Sequence, residues 1–271
     1  MVSTLTLAVI SVNIMFAVLA PCALLLYFKK KYNASVLVFL AGCGIWYIFT
    51  MILEQMLHGF ILSLPIGGVI RGNVFFNALY GGLTAAVFEE TGRFLSMRFL
   101  LKRHQGNPHN SLMYGAGHGG FEVFYLFGMS MLSNLTYALM INNGQLEQQM
   151  ATFSASDQEI IRELTEMLTT TSPVMFAFGM LERLSTLVLQ LALSVLVWAA
   201  VVNGRKAMLG VAVLLHTFVN FTSIIVFSIE MPTWLCELIV LSMSAAAAWY
   251  AKKVFDETVI NGTPQYNNVT M

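Results

Sequence analysis

The sequence predicts an all-α polytopic membrane protein, a bundle of about seven transmembrane helices. Of its 271 residues 57% are hydrophobic and only 10% are charged, against about 25% charged in an ordinary soluble domain. Apolar stretches recur along the chain, each long enough to cross a hydrocarbon core of about 30 Å. No ten-residue alternation of a barrel type recurs, so helices are the expected way to satisfy the backbone in lipid. Lys+Arg and Asp+Glu number 14 each, so there is no basic excess of the kind that nucleic-acid binding leaves.

The expected spans run at 4–28, 34–58, 73–99, 111–141, 173–203, 207–229 and 233–251. No Lys or Arg precedes the first span and Lys29-Lys30-Lys31 follows it. That order is the reverse of a cleavable signal peptide. Arg98, Lys102 and Arg103 follow the third span, Arg205 and Lys206 the fifth, and Lys252 and Lys253 the seventh. These ten cations fall on one side, with only Arg71 and Arg162 on the other. The positive-inside rule then places the N-terminus outside and the C-terminus in the cytoplasm. The longest polar connector, 143–172, maps outside; Ser156-Asp157-Gln158-Glu159 reads as the start of a short amphipathic helix in it. Residues 1–253 form one transmembrane domain, without visible repeats, and 254–271 a polar, disordered cytoplasmic tail. Cys22, Cys43 and Cys236 stand apart in apolar stretches and read as small buried hydrophobes.

Ionisable and amide side chains inside such spans are costly and mark a site. Those singled out are Glu54, Glu89, Glu90, Arg93, His118, Glu122, Glu182, Arg183, His216 and Asn220. Glu89 and Arg93 are spaced i,i+4, Glu90 and Arg93 i,i+3, His118 and Glu122 i,i+4, and His216 and Asn220 i,i+4, so three helices each present a polar pair on one face. Counted from the basic side at 1.5 Å per residue, Glu89, His118 and His216 lie at depths of about 14, 12 and 15 Å. Glu54 falls nearer the outer face, outside the cluster. Glu182 and Arg183 also fall in the outer half, as a structural or gating pair. The run Gly115-Ala116-Gly117-His118-Gly119-Gly120 either packs helices closely or leaves room for a substrate backbone.

A buried carboxylate with two histidines and an asparagine suits water activation. Glu89 would be the base, His118 and His216 would orient the water directly or through a metal, and Asn220 would donate to an oxyanion. A zinc ion held by Glu89, His118 and His216 is one option, since catalytic zinc takes such ligands. No His-Glu-x-x-His motif is present.

Glu89-Glu90-x-x-Arg93, then Tyr114-x-x-x-His118, then His216-x-x-x-Asn220 resembles the CAAX-protease and bacteriocin-processing (Abi) superfamily of intramembrane proteases. The Gly-x-Gly-His-Gly-Gly-x-Glu run ending at Glu122 and the Leu181-Glu182-Arg183 step look most like its YhfC branch, which carries the name of intramembrane metalloproteases. The resemblance implies Glu89 as water-activating base with His118 its partner, His216 and Asn220 on the oxyanion side, and Glu90 as the partner of Arg93. The glutamate pair stands one residue closer to its arginine than CAAX proteases usually have it, and Tyr114 replaces their phenylalanine. The expected function is an intramembrane endopeptidase acting on a membrane-associated peptide or protein in contact with lipid, in a bacterial plasma membrane. The alternatives are a scaffold resembling the Aph subunit of gamma-secretase and a proton-coupled transporter. The basic loop Lys102-Arg103-His104-Gln105, on the side nearest the site, points to access from the cytoplasmic half.

Overall fold

A computed structural model describes residues 1–261, and they form helices and turns with no strand among them. Helix α1 (Thr4–Tyr32) opens where the Ser3 hydroxyl accepts from the Thr6 amide. It ends at Asn33, whose φ of 48° is the left-handed stop that asparagine tolerates. Helix α2 (Val36–Ser63) turns π-helical over Tyr47–Glu54, and the short α3 (Pro65–Gly72) starts on a proline. Helix α4 (Val74–Leu95) is capped by the Asn73 side chain and continues as a π-turn over Ser96–Leu100. Helix α5 (Asn110–Asn142) has its own π-helical stretch at Val123–Gly128. After the short α6 (Gln145–Gln149) come α7 (Ala155–Thr170), α8 (Pro173–Val202), α9 (Ala207–Ser228) and α10 (Thr233–Asn261).

Six of these helices are long and apolar enough to cross a membrane: α1, α2, α5, α8, α9 and, over Thr233–Glu257, α10. The stretch 73–99 is also helical, but α4 carries Glu89, Glu90 and Arg93 and does not reach the same apolar standard. In α8, 72% of the apolar window is buried, against at most 33% in the other five, which makes α8 the central helix. It packs against α10, α5, α9 and α1; α4 packs against α9, and α2 against α5.

The glycine run on α5 is filled by its neighbours. A Cβ on Gly117 would sit 2.0 Å from the Phe39 carbonyl oxygen, and one on Gly119 2.7 Å from the Gln190 Cβ. These glycines are therefore contact surfaces for α2 and α8, and no space is left there for a substrate backbone.

The basic segments gather at one end. His109 stacks on Tyr32 at 3.9 Å and meets Phe255 edge-on at 5.3 Å, and Arg205 pairs with Glu257 at 2.6 Å. At the other end Asn142 exchanges two hydrogen bonds with the Val2 backbone, at 2.7 and 3.0 Å. Three expectations need correction. Residues 254–261 of the expected tail continue α10 as helix, since Val254 is buried against the core; residues 262–271 lie outside the described residues. Helix α7 is capped by Ser154, whose hydroxyl accepts from the Asp157 amide at 3.2 Å, two residues before the expected start signal. Cys22 lies exposed on the bundle surface and Cys43 is half-buried; only Cys236 is buried. An outward helix face meeting lipid needs no burial inside the bundle to remain apolar.

Candidate active site

Helices α4, α5, α8 and α9 meet around a buried polar network. On α4, Glu89 and Glu90 are 5% and 0% exposed and Arg93 is 0% exposed. Their sequence spacing divides the pair. Glu90 lies one turn before Arg93, whose Nη1 donates to both of its oxygens at 2.7 Å. Glu89 looks the other way, 2.8 Å from the Nε2 of His118 on α5. On α9, His216 Nδ1 lies 2.8 Å from the Glu90 Oε1. That bond leaves Nε2 as the ring nitrogen available to the cavity His216 lines.

Gln190 on α8 joins the two halves. Its carbonyl accepts a short hydrogen bond from Arg93 Nη2. Its amide nitrogen donates to Glu89 Oε2 and to Glu122 Oε2, at 2.9 Å each. Gln190 was not among the residues singled out from sequence. The available signal was an amide seven residues after Arg183, hence two turns along the same face of an apolar helix.

The arrangement regroups the expected ligands. Glu89, His118 and Glu122 each offer a ligand atom, all within 4.8 Å of one another. His216 bonds instead to Glu90, the partner of Arg93, so the closest donor group is Glu89–His118–Glu122 and not the expected Glu89–His118–His216. The reason is local: Glu89 and Glu90 are neighbours, so the helix turns them about 100° apart and each meets a different histidine. The regrouped donors fit a divalent cation. Two carboxylates and an imidazole are a common set for zinc and for harder first-row ions. Glu89 and Glu90 share the field of Arg93, Glu122 lies within range of Arg183, and the Gln190 N–H₂ already sits between Glu89 and Glu122 where positive charge is wanted. His118 Nδ1 is buried with no partner among the described residues. Tyr114 is buried one turn before His118, with ring centroids 6.1 Å apart.

A cavity of about 110 Å³ adjoins this network, lined among others by Glu89, Glu122, Gln190, His216 and Asn220. Glu182 and Arg183 line it too, paired with each other, so the expected outer pair opens onto the same space as Glu89. Glu54 does not line this cavity, though it lies within electrostatic range of Glu89 and His216; its close partner is His58 at 3.3 Å, which in turn meets Tyr80 at 2.8 Å. A larger hollow of about 700 Å³ lies under α7, lined largely by apolar side chains such as Met129, Leu132 and Ile160, and touches none of these residues.

Residues 15–240 match the model of a family described as YhfC intramembrane metalloprotease. A relative from Bacillus subtilis (strain 168), named "Uncharacterized membrane protein YhfC", is 34% identical over 226 residues, covering 83% of this chain and 86% of its own. No solved structure matches. The family match spans the helices that bear Glu89, His118, Glu122, Gln190 and His216, and the chain belongs to the YhfC intramembrane metalloprotease family.

Proposed function

We propose that the protein is an intramembrane endopeptidase that hydrolyses a membrane-associated peptide or protein. The observation that carries this reading is the approach of Glu89, His118 and Glu122 to within 4.8 Å, buried between helices and beside a polar cavity. A divalent ion such as zinc held by those three residues would supply a bound water of lowered pKa and a Lewis acid for the peptide carbonyl. Glu89 accepts the proton of the attacking water and returns it to the leaving amine as the C–N bond breaks. Gln190, and His118 Nε2 where no ion takes it, fix the carboxylate that does so. Glu90 and Arg93 hold His216 through Nδ1, so that Nε2 faces the substrate side. Asn220, on the cavity wall one turn away, donates to the carbonyl oxygen as it gains charge.

In this reading α4 crosses the membrane with the six apolar helices, since its polar residues are satisfied inside the bundle. The N-terminus lies outside and the basic end in the cytoplasm of a bacterial plasma membrane. The order of motifs also supports kinship with the CAAX-protease and Abi superfamily.

The test is cleavage of a panel of membrane peptides by purified protein in bilayer discs. Glu89→Gln and His118→Ala should each reduce the rate by at least about 10²–10⁴-fold while leaving helix content and elution volume unchanged. Undiminished cleavage by the double variant would sink the enzyme reading. A folded wild type that cleaves nothing in the panel, yet co-purifies with a stable partner, would favour the scaffold.

A further inference from the structure

Hydrolysis inside a bundle needs a supply of water, and the surroundings of Glu89 differ sharply between its two ends. Toward the basic end the site is sealed. Met97, Leu101, Met113, Tyr114, Leu193 and Leu196 are 0% exposed and form one continuous core. The hollow near the basic loop, lined by Arg98, Phe99, Lys102, Gln105 and Val201, shares no residue with the cavity at Glu89.

Toward the other end the wall is polar. On α8 it runs from Gln190 back through Thr186 to Arg183, and on α9 from His216 forward through Asn220 to Ser223, with Ser244 facing from α10. Each stretch rises by seven residue steps, or about 10 Å, and both lead to where α8 begins and α9 ends. Several of these groups lack protein partners. Ser244 Oγ is buried without a hydrogen bond, and the side chains of Asn220 and Ser223 make none to any described residue. Glu237, one turn before Val240 on α10, is 2% exposed and has an unpartnered Oε2 within electrostatic range of Arg183. Unsatisfied polar groups in a dry wall cost about 1–3 kcal/mol each. Water removes that cost, and about 110 Å³ is room for several molecules, each needing about 10–15 Å³ of such space. At the far end Arg183 and Glu182 have side chains 20% and 31% exposed.

We propose that this cavity between α8, α9 and α10 is the hydrated route that supplies Glu89, with the Arg183–Glu182 pair at its mouth and Asn220, Ser223 and Ser244 as its water-holding wall. The route opens at the end opposite the basic loops, which reverses the expectation of access beside Lys102 and Arg103. Its purpose rests on the reading of Glu89 as a water-activating base, but its existence does not. A dry cavity would remove the route and leave peptide cleavage to be judged by its own assay.

The experiment is X-ray radiolytic hydroxyl labelling of the full chain in bilayer discs, read by mass spectrometry. Radicals form from water in place, so no reagent has to enter. Leu189, Val219 and Val240 should be modified several-fold faster than Leu193 and Leu196 on the dry side. Ser244→Val, which removes one water ligand and fills space, should slow labelling of Val240 and Leu189. Equal rates for Leu189, Leu193 and Leu196 in the unaltered protein would overturn the proposal without any variant. For the mouth, Glu182→Cys in a chain with Cys22, Cys43 and Cys236 changed to alanine should react with a membrane-impermeant thiol reagent from the face opposite the basic loops. Reaction only from the basic-loop face, or from neither, would overturn that placement.

Discussion

Arg93 is the side chain on which the polar network depends most. It is fully buried, it grips both oxygens of Glu90, and its second nitrogen orients Gln190, which in turn faces Glu89 and Glu122. Removing one partner of a buried ion pair leaves the other charge uncompensated, at a cost of about 3–5 kcal/mol. Arg93→Ala is therefore expected to destabilise the protein by that order, and Glu90→Gln by less, because an amide keeps an acceptor for Arg93. Thermal unfolding of both variants in the same detergent checks the ranking. Equal midpoints for Arg93→Ala and the unaltered protein would show that Glu90 has another partner. The i,i+3 spacing made this pair readable from sequence, as the i,i+4 spacing did for His118 and Glu122. It could not show that His216 would choose Glu90 over Glu89, because that depends on the rotation of α9 against α4. Gln190 escaped for a related reason: an amide in an apolar helix gains its role only from what faces it.

The helices carry their own signatures of close approach. Gly42 and Gly117 face each other across α2 and α5; a Cβ on Gly42 would lie 2.5 Å from the Tyr114 carbonyl oxygen. Gly117→Ala should push α2 and α5 apart at a cost of about 1–3 kcal/mol. Gly44→Ala, two residues from Gly42 but with nothing within 4 Å of its Cβ, should be neutral or stabilising by up to about 1 kcal/mol, since alanine is the better helix former. Unfolding midpoints that fall equally for both would refute the packing role. Six of the seven expected spans were legible because twenty apolar residues leave few alternatives in lipid. The π-helical turns were not. One ends at Glu54, one begins after Glu122 and one begins three residues after Arg93; such turns are frequent at functional sites and leave no mark in hydropathy. At the basic end, His109 is half-buried between Tyr32 and Phe255, and this burial lowers its pKa from 6.5. A depressed histidine contributes stability that is present above 6.5 and lost as pH falls toward its folded value. Acidification from pH 7.5 to 5 should therefore loosen α10 around Phe255, read as faster amide exchange over 252–258. His109→Phe should abolish the pH dependence.

How the bundle responds to metal is the property in which the parts act together. Glu89 belongs to α4, His118 and Glu122 to α5, and Gln190 to the central α8, so one ion would tie the charge-bearing α4 to the glycine-packed pair and, through Gln190, to the core. Anything that binds the folded state alone stabilises it by mass action, about 2.7 kcal/mol at a hundred times the dissociation constant. Zinc added to chelator-treated protein should then raise the unfolding midpoint, and a chelator should reverse the rise. Glu122→Gln and His118→Ala should blunt the response, because each removes a donor. His216→Ala should keep most of it, because His216 serves Glu90. This last variant separates the two arrangements: if His216→Ala erases the zinc shift while Glu122→Gln preserves it, the ligands are Glu89, His118 and His216 after all. A midpoint indifferent to zinc in the unaltered protein would instead leave Glu89, fixed by His118 and Gln190, to act as base without a metal.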